Sequence, residues 1–185
     1  MRTAPRQKYR ATILGCAGQS ERVTDTTTVR LVLHPIPPAE AARIIARTPG
    51  AGDRWHPEYP FEDELAPLKS LAASTAPDPV FTMYQVREAS TGLAVGGIGF
   101  HGPPDADGAV ELGYGLVAAA RGCGYATEAL VGALGIAAAH GARLVRADTD
   151  PANTASQNVL TKAGFTEVRR TEQLVFYERT LRPNP

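Results

Sequence analysis

Between residues 109 and 140 the spacing of apolar side chains changes from every second residue to every third or fourth. Ala109 to Leu116 reads as a strand, with Val110, Leu112, Tyr114 and Leu116 on one face and Glu111, Gly113 and Gly115 on the other. Ala126, Ala129, Leu130, Ala133, Leu134, Ile136 and Ala137 mark one side of a helix that ends at His140-Gly141. The junction is Leu116-Val117-Ala118-Ala119-Ala120-Arg121-Gly122-Cys123-Gly124-Tyr125-Ala126-Thr127. Glycines in such a turn let backbone approach a ligand, and the first N–H groups of the helix point outward with partial positive charge. That nest suits a pyrophosphate, and Arg121 adds a fork of donors. The turn is neither GxxxxGK[ST] nor GxGxxG with its trailing acid.

The remaining elements build a sheet around this junction. Thr27 to Leu33 alternates as a strand stopped by His34-Pro35, and Pro37-Pro38 opens a short helix over Ala39 to Arg47. Residues 51–80 form an acidic, aromatic-bearing helical or loop insert. Val80 to Val86 and Leu93 to Phe100 read as a hairpin, completed to a meander by Ala109 to Leu116. Leu144 to Asp148 is a strand, Asn153 to Ala163 a helix closed by Gly164, and strands near Thr166 to Arg169 and Leu174 to Thr180 finish the chain. The expected fold is α+β: a central, mostly antiparallel mixed sheet of about seven strands flanked by helices. Residues 1–26 read as a basic, loosely held arm, 27–181 as one domain and 182–185 as a tail.

Composition narrows the classes of function. The 185 residues carry 19 basic and 19 acidic side chains, so global charge gives no pull toward nucleic acid or an anionic membrane. The longest run without strongly polar residues, Ala129 to Ala139, is about half of the ~20 residues a membrane span needs. Arg6, Lys8 and Arg10 precede Ala11 to Cys16 in a faintly lipoprotein-like pattern whose apolar stretch is too short for a signal. Cys16 and Cys123 have no CxxC spacing, and His34, His56, His101 and His140 have no metal spacing. A reduced, cytoplasmic protein without metal is expected.

A second motif lies at Asn153-Thr154-Ala155-Ser156-Gln157-Asn158-Val159-Leu160-Thr161-Lys162-Ala163-Gly164-Phe165. Asn153 and Ser156 share a helical face, where they either meet a ligand or cap the helix. Arg121-x-x-Gly124-x-Ala126 together with Asn153-x-x-Ser156-x-x-Val159-x-x-Lys162-x-Gly164-Phe165 resembles the GCN5-related N-acetyltransferase (GNAT) superfamily, and within it the ribosomal-protein N-terminal acetyltransferase-like branch. The resemblance spans 27–181 and is concentrated in 109–165. It implies acetyl transfer from acetyl-coenzyme A (acetyl-CoA) to an amine by direct attack in a ternary complex. It assigns the cofactor to Leu116, Val117, Arg121, Gly122, Cys123, Gly124, Tyr125, Ala126, Asn153 and Ser156, with backbone N–H groups near Leu116 and Val117 on the acyl and pantetheine arm.

An ammonium is no nucleophile until a base takes its proton. Glu111, beside two positions without side chains, is the candidate, and the resemblance places the family's base there; a solvated strand face is the competing reading. Many family members carry a tyrosine acid where this chain has Leu160. The resemblance passes that role to Ser156, with Tyr177 and Tyr114 as weaker candidates. Cys123 reads as a small hydrophobe. The insert around Trp55, Tyr59 and Phe61, with Glu58, Glu62, Asp63 and Glu64, falls where the family binds its acceptor. Its acids and rings suit a cationic amine, or simply a helix start. The acceptor is expected to be a peptide N-terminus or a small-molecule amine. A non-catalytic module that holds CoA or acyl-CoA is the alternative, and oligomeric state, a homodimer included, is left open.

Overall fold

In the computed structural model, residues 24–181 are described. Positions 1–23 of the basic arm, with Cys16, and the tail 182–185 lie outside the described residues. Eight strands form one sheet: β1 (Thr26–Thr27), β2 (Leu31–Pro35), β3 (Met83–Glu88), β4 (Ala94–Phe100), β5 (Ala109–Leu116), β6 (Leu144–Thr149), β7 (Thr166–Arg170) and β8 (Val175–Thr180). Their spatial order is β1-β2-β3-β4-β5-β6-β8-β7. Every neighbouring pair is antiparallel except β5 with β6. The helices are α1 (Pro38–Ile45), α2 (Glu62–Ala73), α3 (Tyr125–Ala139) and α4 (Thr154–Lys162).

The eighth strand arises because Thr27 to Leu33 is not one strand. Thr28 N–H bonds the Leu31 carbonyl at 2.8 Å, closing a turn with Val29 at its exposed tip. Glu128 on α3 holds that turn, accepting from the Thr28 hydroxyl and the Arg30 N–H, both at 2.6 Å. Thr26, read as the end of the arm, is thereby paired with Leu33.

Alternation along the strands sends two layers of contacts to opposite faces. Leu33, Val86, Gly96 and Leu116 follow one another across the sheet by direct pairing. On that face lies α3, which buries Ala129, Leu130, Ala133, Leu134, Ile136 and Ala137. His34, Gln85, Gly97 and Gly115 occupy the opposite face, which α1 and α2 cover with Ala41, Ile44, Leu68 and Leu71. Among the described residues no helix is long and apolar enough to cross a membrane, and no group of three or more His, Cys, Asp or Glu could hold a metal ion.

Two glycines test this packing from opposite directions. A Cβ at Gly96 would overlap the Gly115 carbonyl oxygen and stand 2.9 Å from Leu116 Cα, both backbone atoms that cannot step aside. A Cβ at Gly135 on α3 meets nothing within 4 Å. Gly135→Ala is expected to raise unfolding stability by about 0.5–1 kcal/mol through helix propensity, and Gly96→Ala to lower it, both read from denaturant titration. Equal effects would contradict the packing described.

Candidate active site

The parallel pair β5–β6 is joined only at Ala109↔Leu144, Val110↔Val145 and Glu111↔Arg146. Beyond Glu111 the strands part, leaving an open edge along the rest of β5. One side-chain contact crosses to the neighbouring helix: Tyr114 Oη stands 2.9 Å from Ser156 Oγ on α4. Burial pushes the Tyr114 hydroxyl pKa up, against the opposing effect of Ser156. Two hydroxyls are thus held together beside the opening.

At the end of β5 a single 3₁₀ turn (Ala118–Ala120) leads into Arg121-Gly122-Cys123-Gly124. Gly122 and Gly124 adopt φ of 80° and 87°, a left-handed conformation that side chains resist. The helical ladder of α3 starts with Glu128 N–H on the Gly124 carbonyl at 3.1 Å, so the amides of Tyr125, Ala126 and Thr127 precede it. Arg30 fastens this turn from the loop between β1 and β2. It donates to the Cys123 carbonyl at 2.9 Å, pairs with Glu128 at 2.7 Å and lies 4.8 Å from the Tyr125 ring centroid. Its distance in sequence hides it from motif reading.

The other expected cofactor residues take definite places. Arg121 Nε donates to the Leu116 carbonyl at 2.9 Å. Val117 N–H is committed to the Val95 carbonyl at 2.9 Å, so in this conformation it offers no free donor. The Cys123 thiol is exposed and donates to the Ala120 carbonyl at 3.1 Å. Asn153 caps α4, accepting from Ser156 N–H at 3.0 Å, which is the capping alternative. Tyr177 is buried on β8, and Leu160, also buried, carries no hydroxyl toward the opening.

On the α2 side, the pairs Gly97↔Gly115 and Gly99↔Gly113 place four residues without side chains next to one another. They floor a cavity of about 240 Å³ walled by Phe61, Asp63, Glu64, Met83, Phe100 and His101, among others. Phe61 fills the space a Cβ at Gly115 would take, and Glu64 Oε1 does the same at Gly97. The room expected beside Glu111 exists, but the Glu111 carboxyl is not among the cavity's walls. Its Oε1 stands 3.0 Å from Nδ1 of His101, and it is His101 that lines the cavity.

Of the insert, Trp55 and Tyr59 pack edge to face at 6.2 Å, with Tyr59 buried. Phe61, Asp63 and Glu64 instead reach the cavity. Glu64 is 5% exposed, and neither carboxyl oxygen has a hydrogen-bond partner among the described residues. Burial pushes its pKa up to about 8, against a weaker opposing effect of the Phe61 backbone N–H, which stands outside hydrogen-bond geometry. As site residues His101 and Arg30 escaped the reading of the sequence, which names Glu64 among the acids of the acceptor insert without singling it out. For Glu64 a signal exists: with Leu68 and Leu71 it completes the buried stripe of α2.

A carboxyl with a folded pKa near 8 keeps a proton that the unfolded chain releases near 4.5. The native state is therefore favoured at low pH and loses about 1.4 kcal/mol per pH unit as pH rises through that window. Thermal unfolding from pH 5 to 9 should show a steeper decline for the wild type than for Glu64→Gln. Parallel curves would contradict the buried, unpaired carboxyl.

Residues 30–166 match the family model of the acetyltransferase (GNAT) domain. A search of curated proteins gives no match. Among solved structures, an acetyltransferase from Agrobacterium tumefaciens superposes with a TM-score of 0.59 at 22% identity, covering 89% of this chain and 99% of that one. RimJ of Mycobacterium smegmatis, in complex with CoA-disulfide, gives 0.56 at 20% identity over 81% of both chains. The ribosomal-protein-S5-alanine acetyltransferase of Vibrio fischeri gives 0.57 at 15% identity, covering 84% and 96%. Those identities carry the fold alone. The family model, matched over most of the chain and across both motifs, carries the membership: this chain belongs to the GNAT family of acetyltransferases.

Proposed function

We propose that this protein transfers an acetyl group from acetyl-CoA to a primary amine, by direct attack within a ternary complex. The observation that carries this reading is the adjacency of the Arg121–Ala126 turn to the parted edge of β5. The residues present fit a CoA thioester. Left-handed glycines and the first amides of α3, unbonded among the described residues, suit its diphosphate, with Arg121 beside them. The parted edge of β5 offers main-chain groups to its extended arm, near Leu116 and not through the committed Val117 amide. Gly122, Cys123, Gly124, Tyr125 and Ala126 act through backbone, whereas Asn153 contributes by holding Ser156 in place.

The thioester supplies an acyl carbon that an amine can attack. Glu111 is the base: it takes the ammonium proton, with the His101 ring as the relay between cavity and carboxylate. As the new C–N bond forms and the C–S bond breaks, the departing thiolate takes a proton from Ser156, whose hydroxyl Tyr114 supports at 2.9 Å, and the proton shed by the acylated nitrogen restores the Ser156 hydroxyl. This pair fills the role that Leu160 cannot. The acceptor is an N-terminal amine of a protein or a small amine; the likeness in fold to a ribosomal-protein-S5-alanine acetyltransferase supports the first.

Thiol release from acetyl-CoA in the presence of a panel of peptides and small amines tests the reading. Glu111→Gln should lower the rate by ~10²–10⁴, and Ser156→Ala should lower kcat more than it raises KM for acetyl-CoA. Firm binding of acetyl-CoA with no thiol released by any amine would favour the non-catalytic module instead.

A further inference from the structure

The Glu64 carboxyl has no part in the chemistry just described, and its position is costly to leave unexplained. It is nine-tenths buried or more, its two oxygens lack partners among the described residues, and it forms a wall of the glycine-floored cavity. Buried polar groups are normally paired within the protein, so an orphaned carboxyl facing a cavity is a group waiting for a ligand donor. The surrounding walls are mostly apolar: Phe61, Met83, Ile98 and Phe100. Glu64, with Asp63 on the same wall, makes such a pocket discriminate for a positive charge and against an anion. His101, the relay to Glu111, lies on the same cavity.

We propose that Glu64 receives the ammonium of the acceptor, and that the acceptor is a primary amine carried on a compact apolar body. The reading rests on acetyl transfer only for what happens to the amine afterwards. Of the ionisable groups near Glu64, Tyr59 is coupled to it electrostatically, and Asp63 and His101 share the cavity wall with it. In the empty cavity at pH 7 the carboxyl holds its proton. An entering ammonium displaces that proton to solvent and forms an ion pair. The ammonium then loses its own proton through His101 to Glu111 before it attacks.

Binding of n-butylamine to the protein carrying CoA, measured by calorimetry at pH 7 in buffers of different ionisation enthalpy, tests this without turnover. Wild type should bind n-butylamine, release close to one proton, and bind n-butanol at least tenfold more weakly. Glu64→Gln should weaken n-butylamine at least tenfold and abolish the proton release, with CoA affinity within twofold of wild type. Gly97→Ala, whose methyl would occupy the place of Glu64 Oε1, should weaken the amine with the carboxyl still present. Equal amine affinity in either variant, undiminished proton release in Glu64→Gln, or no binding by wild type would overturn the proposal. Amine binding lost in Glu64→Gln but without thiol release by wild type would leave Glu64 supported and sink acetyl transfer.

Discussion

The parting of β5 from β6 after Glu111↔Arg146 is the constraint on which the site depends. A parallel pair inside an otherwise antiparallel sheet needs a crossover, and α3 supplies it between β5 and β6. The crossover starts at the turn with two left-handed glycines, so the helix begins where β5 ends. The edge of β5 and the first amides of α3, both without partners among the described residues, are therefore neighbours by topology. Arg30 and Glu128 hold the helix start to the β1–β2 turn and keep that geometry fixed.

Two buried glutamates on the α1–α2 side show the difference between structure and function. Glu40 is 7% exposed yet fully engaged: Oε2 stands 3.0 Å from His34 Nε2 and Oε1 receives Arg87 at 3.0 Å. His34 in turn reaches Asp25 at 2.6 Å, and Arg87 bonds the Gln85 amide oxygen at 2.5 Å. The bond to Glu40 raises the pKa of the half-buried His34, since a neighbouring carboxylate favours the charged ring. Glu64 is as deeply buried and has none of this. The contrast separates a carboxylate spent on holding α1 to the sheet from one kept for something that enters the cavity.

Local rules reached far along this chain. The bounds of β5, the buried face of α3, the cap at Asn153 and the glycine turn depend on neighbours within a few residues, and alternation or helical spacing displays them. What escaped depends on partners distant in sequence. The break between β1 and β2 is set by Glu128, about a hundred residues away. The glycine floor exists only once β4 and β5 are in register, and then Gly97 meets Gly115 and Gly99 meets Gly113. His101 enters the site because its ring turns back to Glu111. The α2 insert gave a weak helical signal, since three acids crowd its first turn and Pro67 interrupts it. Phe61 and Glu64, which the sequence offers either to a cationic amine or to a solvated helix start, are cavity walls.

The claim that the β5–α3 junction grips the diphosphate of a thioester carrier is met most directly by titrating CoA into ¹⁵N-labelled protein. Amide shifts concentrated at Gly122 to Thr127 and along the second half of β5 are the predicted result. Saturating CoA that leaves those amides unmoved, or moves only residues elsewhere, would contradict it.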